Sequence, residues 1–388
     1  MKDVVIVSYA RTPFGKLGGA LKEFSAVDLG AMAIKESLNK INLNPKEVDY
    51  MYFGQVLQAG SGQMPARQAQ IKAGLSWETP SVLINKVCCS GISAIQSAYF
   101  RISMGLSDIV VAGGMENMSN TPYAIDKMRF GTRMGDSTVK DLMISDGLWC
   151  PFYNRHMALH GSDIAKEFNI SRKEQDLWAE RSHKYAIKAI EYNKLDNEVF
   201  PIETKNGIFS KDESPRKDTN YDILSKLPPV FDEHSLITAG NAPGINDGAA
   251  SLVLMSKNKA EELNLKVLAT IIDYQEASRE AKYIATVPGH AINKIIEKNN
   301  INIDEIDLFE INEAFAAVVL VSQKIANYDL NKVNVDGGAV AYGHPIGVTG
   351  ARIVMHLINA LEQRNGGYGI AAICSGSAQG DAILLKVE

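Results

Sequence analysis

Short apolar runs separated by helix-length stretches occupy both ends of the chain, whereas its middle follows no such rhythm. The runs 4–7, 48–53, 81–84 and 109–112 have strand length and a mainly apolar, strand-like character. Residues 92–104 follow the third run with helical spacing. Residues 351–361 do the same near the C-terminus, so the pattern predicts an α/β protein.

The two ends repeat one another. With 33–49 laid over 291–307, the pairs Ala33/Ala291, Ile34/Ile292, Lys40/Lys298, Asn42/Asn300, Asn44/Asn302, Glu47/Glu305 and Asp49/Asp307 are identical. Leu38/Ile296, Leu43/Ile301 and Val48/Ile306 keep apolar character. Each copy reads as a helix, an Asn-bearing turn and a strand, 48–53 in one and 306–311 in the other. Further on, Ser90-Gly91 opening one helix matches Thr349-Gly350 opening another, and the run at 109–114 matches that at 370–376. The fold predicted is two duplicated α/β halves stacked in layers, with ligands collecting beyond the carboxyl ends of strands.

Between the halves lie a polar, Met- and aromatic-bearing stretch (121–149), a helical pattern (162–193) and a Pro- and charge-rich stretch (211–231). Ser171-Arg172-Lys173-Glu174 predicts a capping box. The strand-like residues 251–255 return to the first sheet. The division expected is a first half of residues 1–119 with 247–270, an inserted loop domain of 120–246, and a second half of 271–388.

Composition narrows the classes of function. In 388 residues, 46% are hydrophobic and 22% charged, as in an ordinary globular protein, and no apolar run reaches membrane-spanning length. The run at 4–7 is too short for a signal peptide, so a cytoplasmic protein is expected. A net charge of −5 argues against a nucleic-acid surface. Four cysteines (Cys88, Cys89, Cys150, Cys374) make neither a disulfide framework nor a zinc site. His156 and His160 lack the glutamate of a helical metal motif, so no metal is expected and both read as surface or ligand-contact residues.

Candidate chemistry gathers at four predicted strand-to-helix turns: Cys88-Cys89-Ser90-Gly91, Asn312-Glu313-Ala314-Phe315, Gly343-His344-Pro345-Ile346-Gly347 and Cys374-Ser375-Gly376. A cysteine is more often a small buried hydrophobe than a nucleophile. At a helix N-terminus, however, the macrodipole favours the thiolate, and His344 is a candidate base for it. Cys374 is placed to move a proton on a substrate, and the backbone amides of Cys88 and Gly376 to bind an oxyanion. Arg216 suits a phosphate or an aromatic base, although an exposed arginine is ordinarily just solvated.

At these residues the chain resembles the thiolase family of acyl-CoA acetyltransferases. The likeness runs from Ala10-Arg11-Thr12-Pro13-Phe14-Gly15 through Ala112-Gly113-Gly114-Met115-Glu116 and Asn246-Asp247-Gly248-Ala249-Ala250 to the C-terminal cysteine motif. The resemblance implies a thiolase-like fold of two βαβαβαββ halves and a homo-oligomer, dimer or tetramer. It implies coenzyme A and acyl-CoA as substrates, with no permanently bound cofactor. Cys88 would carry the acyl group with His344 accepting its proton, and Cys374 would deprotonate a second acetyl-CoA. Asn312, through a bound water, and His344 would form one oxyanion site, and the amides of Cys88 and Gly376 the other. His156, Met157, Arg216, Ala314 and Phe315 fall where the family lines its coenzyme A channel.

Departures flank the pockets. Pro243 stands in Ala239-Gly240-Asn241-Ala242-Pro243-Gly244 where the family has a serine that holds the pantetheine arm. The segments 158–162, 284–288 and 375–378 and the residue Tyr342 also differ from the usual pattern. Two alternatives follow: a thiolase for longer or branched 3-ketoacyl chains, and a non-catalytic acyl-CoA binding protein.

Overall fold

The computed structural model describes residues 2–388. In the first half, β1 (Val4–Arg11), α1 (Ala26–Asn39), β2 (Tyr50–Gly54), α2 (Pro65–Lys72), β3 (Ser81–Ile84), α3 (Ser90–Ser103) and β4 (Ile109–Asn117) follow in order. Helices α4 (Met157–Glu167) and α5 (Arg172–Glu191) belong to the insertion, and β5 (Asn246–Ser256) closes the half. The second half runs β6 (Ala269–Ser278), α6 (Val287–Asn299), β7 (Leu308–Ile311), α7 (Ala316–Ala326), α8 (Thr349–Glu362), β8 (Gly367–Ser375) and β9 (Gln379–Val387).

The residues shared by the two copies do the same work in each. Asn42 and Asn300 both adopt φ of 50°, the left-handed conformation that asparagine tolerates where a helix ends. Asn44 and Asn302 each accept a backbone N–H two residues on at 3.1 Å, capping a short 3₁₀ turn. Asp49 accepts the N–H groups of Asp108 and Ile109, and Asp307 that of Tyr368, so each copy fastens the start of its strand to the neighbouring one.

The strands form one continuous sheet in the order β7-β8-β9-β6-β1-β5-β4-β2-β3, with a two-residue strand, Gly15–Lys16, beside β5. The half-sheets meet at β1 and β6 through two residue pairs, Val5/Thr270 and Ile6/Ala269. Helices α3 and α8 pack on each other between the half-sheets. Alternation along β1 shows why both faces are apolar. Val4 and Ile6 join the central core with Ile92, Ile353 and Leu357, whereas Val5 and Val7 join an outer core with Leu29, Ile34 and Leu38 of α1. The helices cross at glycines, since a Cβ on Gly91 would lie 2.7 Å from the Ala351 nitrogen and one on Gly350 would lie 2.5 Å from that of Ile92.

Several expectations are corrected. The third strand of the second half is reduced to a single bridge, Phe309 to Val333, because Asn334 (φ 46°) and Gly337 (φ 92°) turn the chain away. His344 therefore lies between a one-turn helix, Ala339–Tyr342, and α8, not at a strand-to-helix turn. Cys374 lies at the end of β8, and a 3₁₀ turn, Gly376–Ala378, leads into β9, not into a helix. The helix start expected at Ser171–Glu174 is present: its capping box opens α5 after α4 ends near Asn169 (φ 56°). His156 and His160 are buried, not on the surface. The insertion is bound to the first half by a buried network, in which Arg11 pairs with Asp212 at 2.8 Å and with Glu198 at 3.1 Å.

Candidate active site

Cys88 precedes α3 directly, behind Val87, a β-branched residue held at φ 47°. Left-handed backbone is unfavourable for such a side chain and persists only where surroundings enforce it. The turn is enforced locally: Ser90 Oγ donates to the Val87 carbonyl at 2.6 Å and accepts the Lys86 N–H at 2.9 Å. The backbone N–H groups of Cys88 itself and of Gly376, brought in by the second half, favour the Cys88 thiolate. Burial nevertheless outweighs those donors and pushes the thiol up to about 12, so the expected thiolate does not form in the resting site.

His344 and Cys88 line the same cavity. His344 Nδ1 lies 2.7 Å from Thr349 Oγ1, and that hydroxyl donates to the Pro345 carbonyl at 3.0 Å. A hydroxyl has one hydrogen, so Thr349 must accept from Nδ1–H. Nε2 is left as the unprotonated nitrogen, facing the amide of Asn312 at 3.5 Å. Burial, with the Arg352 charge adding to it, lowers His344 to about 3, which keeps the imidazole neutral. The backbone N–H of His344 donates to Asn246 Oδ1 at 3.1 Å. Gly343, at φ 100°, makes room for this, because a Cβ there would fall 2.2 Å from Asn246 Cγ.

Two buried carboxylates hold the loops. Glu116 accepts the N–H groups of Val56, Leu57 and Gly347 at 2.9–3.1 Å, and burial raises it to about 7 against those donors. Glu313 accepts from Trp178, Ser182, Asn334 and Val340 at 2.8–2.9 Å, joining the Asn312 turn to α5. Cys374 is fully buried, and its thiol is held well above the ordinary range by desolvation first and by Cys88 second. Asn312 Oδ1 is buried without a partner.

The cavity has a volume of about 330 Å³ and apolar walls. Cys88, His344, Gly376, His156, Met157, Pro243, Ala314 and Phe315 line it. His156 caps α4 by accepting the Ala158 N–H at 3.1 Å, and its ring stacks on Phe231 with centroids 3.7 Å apart. Of the expected site residues, Cys374, Asn312 and Arg216 do not line the cavity: Cys374 and Asn312 are fully buried behind its wall residues, and the Arg216 N–H donates to His183 Nδ1 at 3.2 Å elsewhere in the insertion. Sequence reasoning missed Met118, Met143, Leu148 and Phe231 as lining residues and Thr349 as the group that orients His344. Only Thr349 carried a signal, as a hydroxyl five residues after the histidine at a helix start.

Among the described residues, no group of His, Cys, Asp and Glu is placed to hold a metal, and no helix is long and apolar enough to cross a membrane. Two buried thiols and an imidazole with a free nitrogen, set at the seam of a duplicated α/β scaffold, are the equipment of an acyltransferase.

The thiolase N-terminal domain family matches residues 4–258 and the thiolase C-terminal domain family matches residues 265–387. An acetyl-CoA acetyltransferase of Cupriavidus necator is 44% identical, with 100% of both chains covered. A probable acetyl-CoA acetyltransferase of Mycolicibacterium smegmatis is also 44% identical, over 98% of this chain and 100% of its own. The crystal structure of the Bacillus anthracis acetyl-CoA acetyltransferase superposes with a TM-score of 0.97 at 40% identity, covering 100% of this chain and 99% of the other. The chain belongs to the thiolase family.

Proposed function

We propose that the protein interconverts two acetyl-CoA with acetoacetyl-CoA and free CoA by a ping-pong route through S-acylated Cys88. The observation that carries this reading is the neutral His344, whose free Nε2 shares the cavity with the Cys88 thiol. The thiol attacks the acetyl thioester as its proton passes to Nε2, and the departing CoA thiolate takes up the proton of Cys374. The N–H groups of Cys88 and Gly376 face the reacting sulfur and receive the oxyanion. In thiolysis, Cys374, kept a neutral thiol by burial, protonates the acetyl-CoA carbanion that leaves when acetoacetyl-CoA acylates Cys88. The incoming CoA thiol then gives its proton to the Cys374 thiolate as it attacks the acetyl group, and Cys88 leaves with the proton held on Nε2. Condensation runs the same transfers in reverse, with Asn312 and His344 at the enolate oxygen. The relatives' names support acetyl as the group transferred.

Incubation with acetyl-CoA should give one acetyl adduct by intact mass, lost in Cys88→Ala, together with thiolysis of acetoacetyl-CoA. No adduct and no thiolysis of any 3-ketoacyl-CoA would remove the reading. Ile284 in the cavity wall favours, as a second reading, a longer or branched 3-ketoacyl substrate. Tyr342 lends it nothing, being buried with its hydroxyl on the Asp336 carbonyl at 2.6 Å. Comparison of kcat/KM across acyl lengths decides, and a steep preference for the four-carbon substrate rejects it.

A further inference from the structure

Behind the Cys88 loop, on the side away from the cavity, lies an ion cluster that the chemistry above does not use. Asp381, the third residue of β9, is fully buried. One of its carboxylate oxygens lies 2.7 Å from Lys86 Nζ, and the other accepts from Ser93 Oγ at 2.9 Å. Lys86 is two residues before Cys88 and Ser93 is in the first turn of α3, so one carboxylate of the second half holds both flanks of the nucleophile. Lys86 also pairs with the half-exposed Glu276 on β6, the residue directly beside Asp381 in the sheet. From the same half, Ser375 Oγ donates to the Lys86 carbonyl at 2.5 Å.

A buried carboxylate is costly without a partner, and this one is matched by a cation and a hydroxyl from a single short segment. The two contacts bracket Val87, whose left-handed backbone needs an enforcing environment. Within the first half, α3, the strand β3 before the loop and the bond from Asn85 to the Val56 carbonyl at 3.3 Å fix Cys88. Its distance from Cys374 and Gly376 depends on ties between the halves: the α3–α8 crossing, the two β1–β6 residue pairs, the Ser375 bond to the Lys86 carbonyl, and this cluster.

We propose that Asp381 and Lys86 form a positioning latch, which holds the Cys88 loop of the first half against the Cys374–Gly376 loop of the second. Neither residue touches the cavity, so the pair acts through the loop and not on the substrate. Breaking it lets the Val87–Cys88 turn relax and withdraws the thiol from the Gly376 N–H, whereas the acyl-CoA cavity keeps its walls. A misplacement on the order of 1 Å in a reacting group can cost up to roughly a hundredfold in rate. The inference rests on the proposed role of Cys88 as acyl carrier.

The test uses Asp381→Asn, Lys86→Met and Lys86→Arg in the full chain. Three quantities are read: kcat and KM for thiolysis of acetoacetyl-CoA, the rate of Cys88 alkylation by iodoacetamide followed by peptide mass, and the thermal midpoint. Asp381→Asn and Lys86→Met should each lower kcat on the order of tenfold with KM little changed. Each should also change the Cys88 alkylation rate, and Lys86→Arg, which keeps the cation, should recover most of kcat. Wild-type kcat and alkylation in folded Asp381→Asn would overturn the latch. So would a fall in the thermal midpoint with unchanged activity per folded molecule, or a rise in KM alone. Alkylation needs no acyl transfer. A changed alkylation rate in a protein whose wild type shows no thiolysis would therefore count against the proposed reaction and not against the latch.

Discussion

Thr349→Val tests whether His344 works as a base because a neighbouring hydroxyl fixes its tautomer. Valine has nearly the shape of threonine and suits the first turn of α8, so the fold should survive. What disappears is the acceptor 2.7 Å from Nδ1, at a position where both side chains are buried. An unpaired buried donor costs about 1–3 kcal/mol. The imidazole escapes part of that cost by moving its proton to Nε2, where it blocks the position that must receive the Cys88 proton. With tenfold in rate per 1.36 kcal/mol, kcat should fall by roughly 5- to 150-fold. Thr349→Ser, which keeps the hydroxyl, should stay close to wild type. Steady-state thiolysis of acetoacetyl-CoA gives kcat, and burst acetylation of Cys88 by intact mass isolates the first half-reaction. A folded Thr349→Val protein with unchanged kcat and burst would refute the tautomer argument.

Other consequences are equally direct. Because burial holds the Cys88 thiol up at about 12 and His344 down at about 3, both are neutral across the intervening range, and iodoacetamide alkylation of free Cys88 should show no inflection near pH 7–9. An inflection there, lost in His344→Ala, would mean that an ion pair exists at rest. Glu313→Gln turns an amide toward donors that now meet a carboxylate and should lower the unfolding free energy in urea by about 3 kcal/mol, and a loss below about 1 kcal/mol would contradict the accounting. Pro243→Ser adds a hydroxyl to the cavity wall and should lower KM for acyl-CoA about fivefold, the equivalent of about 1 kcal/mol, with kcat unchanged. An unaltered KM would show that this wall does not meet the pantetheine arm.

The halves were legible because duplicated residues do local work: Asn42 and Asn300 end helices, and Asn44 and Asn302 cap turns, whatever surrounds them. The chemical residues were legible for a similar reason, since thiols and imidazoles in Gly-bearing turns are unusual in any context. The lost third strand of the second half was not, because Asn334 and Gly337 leave the β region in answer to contacts made far along the chain, among them the bond from Asn334 to Glu313. Phe231 was hidden for the opposite reason. It sits in a Pro- and charge-rich stretch that looks like solvent-facing loop, yet its ring covers His156. The direction of the Cys88 shift was misjudged because a sequence displays the helix N-terminus but not the depth of burial.

The duplication pairs the loop before α3 with the loop before α8, and each loop rests on the other half. On one side the loop before α3 rests on the Cys374–Gly376 turn. On the other the loop before α8 rests on the end of β4, where the Gly347 N–H meets Glu116 and a Cβ on Gly114 would lie 2.1 Å from the Gly347 oxygen. Duplication thus offers the molecule two equivalent sites. One is open and carries the thiols. The other is closed by glycine and a carboxylate, and serves as the keystone that fixes His344 for its counterpart.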